Sequence, residues 1–170
     1  MADIKLSLGS AAEAPFLTEE EVRQGIELLF FAYRDFTAEP DAILTQYGFG
    51  RAHHRVVHFV GRRPQMTVGD LLMILKITKQ SLNRVLGQLV RQGFIVQHRG
   101  AQDRRQRLLE LTEKGRELER QLSAPQRARV AAAYRKAGAN AVEGFRKVLL
   151  GIIASPDDRR RFDRGKPARR

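Results

Sequence analysis

The sequence predicts a mostly α-helical protein with a small β-hairpin wing, a winged helix-turn-helix framed by helices at both ends of the chain. Three observations predict it. Residues 67 to 112, TVGDLLMILKITKQSLNRVLGQLVRQGFIVQHRGAQDRRQRLLELT, read as a short helix, a tight turn, a longer helix and two short strands joined by an arginine-laden loop. Positive charge gathers in this same stretch: residues 76 to 107 carry eight lysines and arginines against Asp103 alone. Apolar residues recur at helical spacing near both chain ends, outside the winged unit.

Composition narrows the partners. A chain of 170 residues with 42% hydrophobic and 29% charged residues has the length and makeup of one globular domain with a real core. Thirty-one Lys and Arg against nineteen Asp and Glu leave a net charge of +12. Such an excess points to a polyanion, either nucleic acid or an anionic membrane surface. The longest apolar runs, residues 71–75 and 148–154, are far too short to span a bilayer, so no membrane is expected. The first fifteen residues lack the basic and apolar regions of a secretion signal, so the expected location is the cytoplasm, on the nucleoid if the partner is DNA. With no cysteine in the chain, disulfides, thiolate metal sites and thiol redox switches are all excluded.

Residues 1 to 15 are small and polar without a period, and are expected to form a flexible arm. Residues 16–154 are expected to form a single domain, with the winged helix-turn-helix at about 64–112 and flanking helices at about 18–38 and 113–154. Thr18 followed by Glu21 is a helix-start signature, and Val22, Ile26, Leu29, Phe30 and Tyr33 form the apolar stripe of a first helix, expected to end before Pro40. A second helix is expected from about 51 to 59, closed by Gly61 and Pro64. Thr67 with Asp70 forms another capping box, opening a third helix whose buried side is Leu71, Leu72, Ile74 and Leu75.

Lys76 and Ile77 make the turn. Thr78 caps a fourth helix reaching about residue 92, with Leu82, Val85, Leu86 and Leu89 on one stripe and Gly93 as its stop. Strands are expected at 94–99 and 107–112, with Leu109 and Leu111 sharing a face. Thr112 caps a fifth helix, with Pro125 marking a break or a new start and residues 128–136 helical by propensity. A last helix at about 139–154 carries Val142, Phe145, Val148, Leu149, Ile152 and Ile153 on a stripe. Residues 155–170, basic, polar and irregular, are expected to be a flexible tail.

The chemistry follows from the fourth helix and the loop. A recognition helix places its N-terminal residues against base edges in the major groove. Here those residues are Thr78, Lys79, Gln80, Ser81, Asn83 and Arg84. Gln and Asn pair bidentately with adenine, and Arg or Lys with guanine. Lys76 and Arg91 are better placed for phosphates, which position a protein without reading sequence. Arg99, Arg104, Arg105 and Arg107 belong to the wing, whose arginines suit the flanking minor groove. Asp103, two residues before Arg105, is near enough to orient a guanidinium.

The stretch from Thr67 through Gly115 resembles the DNA-binding core of the MarR family of bacterial transcriptional regulators, most specifically over DRRQRLLELTEKG, residues 103–115. The resemblance extends to about residues 18–154. It implies an all-helical homodimer with one winged helix-turn-helix per subunit, held together by the first and last helices, on double-stranded DNA carrying a pseudo-palindromic operator. It also implies that Arg105 enters the minor groove with Asp103 as its orienting partner. The two end stripes agree with such a dimer, since neither completes the winged unit; a two-fold pair would set the recognition helices about 34 Å apart.

The histidines in RAHHRVVHFV are the remaining candidates. His54 and His58 share a helical face and have metal-ligand spacing, but no third ligand or catalytic glutamate is evident nearby. Structural histidines are the plainer reading; the family resemblance implies contacts to a small-molecule effector or pH sensing as the others. No cofactor is expected, and the effector's identity is not encoded in any motif. There is no P-loop, G-x-G-x-x-G or G-x-S-x-G, so nothing points to an enzyme. The expectation is a sequence-specific DNA-binding transcriptional regulator, repressor or activator. The alternatives are a winged-helix interaction module without sequence-specific DNA binding and a metal-dependent sensor built on His54 and His58.

Overall fold

The computed structural model describes residues 17–163, so the expected N-terminal arm and residues 164–170 of the expected tail lie outside it. The first helix, α1 (Glu19–Thr45), starts on the expected capping box: Thr18 N–H donates to the Glu21 carboxylate at 2.8 Å, and Glu21 N–H donates back to Thr18 Oγ1 at 3.2 Å. Those bonds hold the Glu21 carboxyl below its ordinary pKa, with the Thr18 backbone donor as the largest cause. α1 does not stop before Pro40 but runs five residues past it. Proline's φ suits a helix, and its cost of about 3 kcal/mol comes from a lost rung and a clash with the preceding turn. The turn beyond it buries Leu44 completely, a gain of about 1.5–3 kcal/mol that offsets much of this. The part of α1 up to Thr37 forms a unit by itself, and the described residues from Ala38 onward form the other.

In that second unit, α2 (Arg51–Arg62) buries Val56, Val57 and Val60. Gly61 lies inside α2 instead of closing it. A Cβ there would stand 3.0 Å from Leu111 Cδ1 and 3.3 Å from Glu119 Cγ, so the glycine serves a close helix approach. A short strand that periodicity does not signal, β1 (Met66–Thr67), precedes α3 (Val68–Leu75). The capping box is present as expected: Thr67 N–H and Oγ1 donate to Asp70 at 2.9 and 2.8 Å, and Asp70 N–H returns to Thr67 Oγ1 at 3.0 Å. Lys76 turns the chain in the left-handed region (φ +51°), and α4 (Lys79–Arg91) follows.

The wing is β2 (Ile95–Arg99) paired antiparallel with β3 (Arg107–Leu111), from Ile95 opposite Leu111 to Arg99 opposite Arg107. β1 adds to the other edge of β3, giving the order β1-β3-β2. Then come α5 (Glu113–Ala137), α6 (Ala139–Ile152) and α7 (Pro156–Asp163). α5 passes through Pro125 without a break. Leu118 and Leu122 are fully buried before the proline, and Arg129 after it makes a 2.9 Å ion pair with Glu39, so both halves contact the rest of the unit.

The existence of α7 corrects the expectation of a structureless tail over its first half. Ser155, Pro156, Asp157 and Asp158 supply a cap, a first-turn proline and two first-turn acids, and these outweigh the segment's polarity. One core joins the unit: Leu71 of α3, Leu82, Val85, Leu86 and Leu89 of α4, Ile95, Leu109 and Leu111 of the sheet, and Leu118 and Leu122 of α5.

Candidate nucleic-acid interface

α4 is built to present one face. Its buried stripe fixes the rotation about its own axis, and Thr78 Oγ1 accepts the Ser81 N–H at 3.1 Å to fix its start. Lys79, Gln80, Asn83 and Arg84 are left exposed on the first two turns. Ser81 is half-buried, and its hydroxyl accepts from Thr78 Oγ1–H at 2.9 Å, so both hydroxyls are engaged in the cap. The wing stands beside this face. Lys79 and Asn83 line an open groove with Arg105, Gln106 and Arg107 of the wing, floored by Val68, Leu72 and Leu86.

At the wing tip, Gly100 N–H donates to Gln106 O at 3.1 Å and Gln106 N–H to Asp103 O at 3.1 Å. Gly100 is required here, since a Cβ would meet Asp103 O at 2.7 Å. Asp103 does act on Arg105, though through the backbone: its Oδ1 accepts the Arg105 N–H at 2.9 Å. The carboxylate thus shapes the loop from which the Arg105 side chain leaves, where a guanidinium contact was expected. Arg104 is exposed beside it. Arg99 and Arg107 face each other directly across the strands, both exposed. Like charges in that position repel and gain from an anion between them.

Lys76 is placed differently. Its ammonium forms a 2.9 Å ion pair with Asp158 of α7, drawing the turn of the motif toward the C-terminal helix. The serine-proline-aspartate start of α7 signals the helix in the sequence, but nothing local signals its pairing with Lys76.

A further residue, His53, ties α2 to α4. Its Nδ1 accepts the Gly50 N–H at 3.1 Å, so Nε2 carries the proton and donates to Gln88 Oε1 of α4 at 2.6 Å. The ring also stacks on Phe49 with centroids 4.5 Å apart. Burial, the largest cause, pushes its pKa below the ordinary 6.5 despite the Gln88 and Gly50 bonds. No sequence motif marks this role, and only the position three residues after Gly50, in the first turn of α2, could have flagged it.

His54 and His58 are half-buried on the side of α2 that faces Glu119 of α5. Their pKa values are lowered, burial being the largest cause and Glu119 opposing it in both. Among the described residues no group of three or more His, Asp or Glu is arranged to hold a metal ion. No helix of the described residues is long and apolar enough to cross a membrane.

A capped helix with an exposed polar face, a basic wing beside it and a hydrophobic core that locks the two define a winged helix-turn-helix, a DNA-binding class of protein. The comparisons with known proteins agree. The sequence model of the MarR family matches residues 47–106. The HTH-type transcriptional regulator PetP of Rhodobacter capsulatus is 54% identical over 153 residues, which cover 90% of this chain and 92% of that protein. Among solved structures, Streptococcus pneumoniae FabT in complex with DNA superposes with a TM-score of 0.65 at 19% identity, over 79% of this chain and 94% of that one. A further MarR family transcription regulator gives a TM-score of 0.65 at 19% identity, over 78% and 88%. The chain belongs to the MarR family, whose members are DNA-binding regulators and not enzymes.

Proposed function

We propose that the protein regulates transcription as a cytoplasmic homodimer that binds a pseudo-palindromic operator in double-stranded DNA. In each subunit α4 enters the major groove, with Lys79, Gln80, Asn83 and Arg84 toward base edges. The wing crosses the flanking minor groove with Arg105, while Arg99, Arg104 and Arg107 contact phosphates. The observation that carries this reading is the single groove in which Lys79 and Asn83 of α4 meet Arg105 and Arg107 of the wing. The opposed Arg99 and Arg107 support it, because phosphate oxygens relieve the repulsion built into that pair.

The dimer rests on apolar side chains that a single chain leaves in water: Ile26 (64% exposed), Phe30 (66%) and Val148 (61%) on helices expected to pair. The test is a gel shift against sequences selected from a random DNA pool. Arg84→Ala and Arg105→Ala are each expected to weaken binding by about 1–3 kcal/mol, with Arg84→Ala also relaxing base preference. Unchanged affinity in both variants refutes the assignment of these residues. Binding that is salt-sensitive but indifferent to sequence would favour a general nucleic-acid or interaction module instead.

A further inference from the structure

The C-terminal helix is docked against the turn of the helix-turn-helix by charge. Asp158 accepts from Lys76 Nζ at 2.9 Å and from Arg161 Nε at 3.2 Å. The side chains of Asp158 and Arg161 are each only 25% exposed. Between α7 and the motif lies a recess, with Arg63, Met73 and Lys76 lining it opposite α7. Lys76 holds the Asp158 carboxyl below its ordinary pKa, with Arg161 as the next cause. Lys76 stands two residues before Thr78, the cap of α4, so α7 lies beside the end of α4 assigned to the major groove.

We propose that α7 is a second DNA-gripping element, anchored by the Lys76–Asp158 pair, whose Arg159 and Arg160 contact phosphates flanking the footprint of α4 and the wing. This rests on the DNA-binding reading above and extends it. α7 divides its charges by position. Asp158 and Arg161 are half-buried and anchor it, whereas Arg159 and Arg160 are exposed, Arg160 on the lining of the recess.

Arg160 pairs with the exposed Asp157, and such surface pairs contribute about 0–1 kcal/mol, little enough to exchange for a phosphate. Arg159 donates to the Ala154 carbonyl at 3.3 Å, a long contact that is equally exchangeable. Around the recess Arg63, Lys76, Arg160 and Arg161 outnumber Asp157 and Asp158, so its lining is net cationic. Lys76, read from sequence as a phosphate contact, becomes the anchor that brings two other cations into range.

The experiment compares two DNA probes sharing one selected operator core, one trimmed to the core and one with about a further turn of duplex on each side, by fluorescence anisotropy with the full chain. The Arg159→Gln/Arg160→Gln double variant is expected to bind the trimmed probe like the wild type and the long probe more weakly. Its salt dependence on the long probe flattens by about 0.9 in slope for each phosphate it no longer neutralises. Asp158→Asn is expected to show the same selective weakening, because the anchor is gone. Double-variant affinity and slope equal to wild type on the long probe overturn the proposal. Tighter binding by Asp158→Asn also overturns it, since Asp158 would then be masking Lys76. If the wild type binds neither probe, the DNA-binding reading itself falls; if it binds both and only the α7 variants are silent, α7 alone loses its role.

Discussion

Replacing Gly115 by alanine offers a test in which local and tertiary physics predict opposite signs. Gly115 sits in the first turn of α5, where alanine ordinarily stabilises a helix by about 1 kcal/mol relative to glycine. At this position the added methyl overlaps the Phe94 carbonyl oxygen and stands 3.0 Å from its carbon and 3.3 Å from Leu111 Cβ. None of these is the loose end of a side chain. The Phe94 carbonyl is also fixed from the other side, accepting the Thr112 N–H at 3.0 Å and the Thr112 hydroxyl at 3.3 Å.

Relief therefore requires moving the start of β2 away from α5. Overpacking of this kind costs about 1–3 kcal/mol. Straining the Thr112 bonds adds about 1 kcal/mol. Set against the helix gain of about 1 kcal/mol, the net is a destabilisation of about 1–3 kcal/mol. At about 2–4 °C per kcal/mol for a chain of this size, Tm should drop by roughly 2–12 °C. Differential scanning calorimetry reads it directly. An unchanged or higher Tm refutes the reasoning, because it would mean that α5 and β2 are not pinned at this peptide.

Two further outcomes follow from other features. His53, His54 and His58 all have pKa values pushed below 6.5, chiefly by burial, so below that pH the unfolded chain binds more protons than the folded one and stability must fall as the medium is acidified. Thermal melts from about pH 7.5 to about 5.5 should show a declining Tm, with a smaller decline in His53→Gln, which cannot take up the proton that breaks the Gly50 cap; a flat profile contradicts the burial argument. For assembly, Phe30→Asp combined with Phe145→Asp should convert a dimer to a monomer in sedimentation velocity while leaving the far-ultraviolet circular dichroism unchanged; an unaltered sedimentation coefficient removes these helices from the interface.

The parts of the fold governed by local rules could be read from the sequence directly. Thr67 with Asp70, Thr78 and Thr112 each cap the helix that their spacing announces, and Gly93 (φ +77°) ends α4 where a glycine stop was expected. The α4 stripe is buried residue for residue. What escaped depends on distant partners. Pro40 and Pro125 look like helix breakers until Leu44, Leu118 and Leu122 are seen in the core. β1 is two residues long, and its only evidence is pairing with Leu108 and Leu109, more than forty positions away.

The site divides along the same line. Exposure of Lys79, Asn83, Arg84 and Arg105 follows from helix phase and loop position. The bond from His53 to Gln88, and that from Lys76 to Asp158, join residues separated by 35 and 82 positions, beyond the reach of any periodicity. The tail shows a different failing: its composition suggested disorder while its SPDD start encoded a helix.

Phe94 also stands as a hinge point between two helices. Its N–H is held by Leu89 O at the end of α4 at 2.8 Å, and its carbonyl by Thr112 at the start of α5. The two helices thus meet at one residue, with α4 as the short arm and α5 as the long one. Twenty-five residues of α5 make an arm of about 37 Å at 1.5 Å per residue. A tilt of about 5° at this residue therefore carries the far end of α5 through about 3 Å. In the proposed dimer the same small tilt would shift the two α4 helices relative to each other by a comparable amount, about the 3.4 Å rise of one base pair.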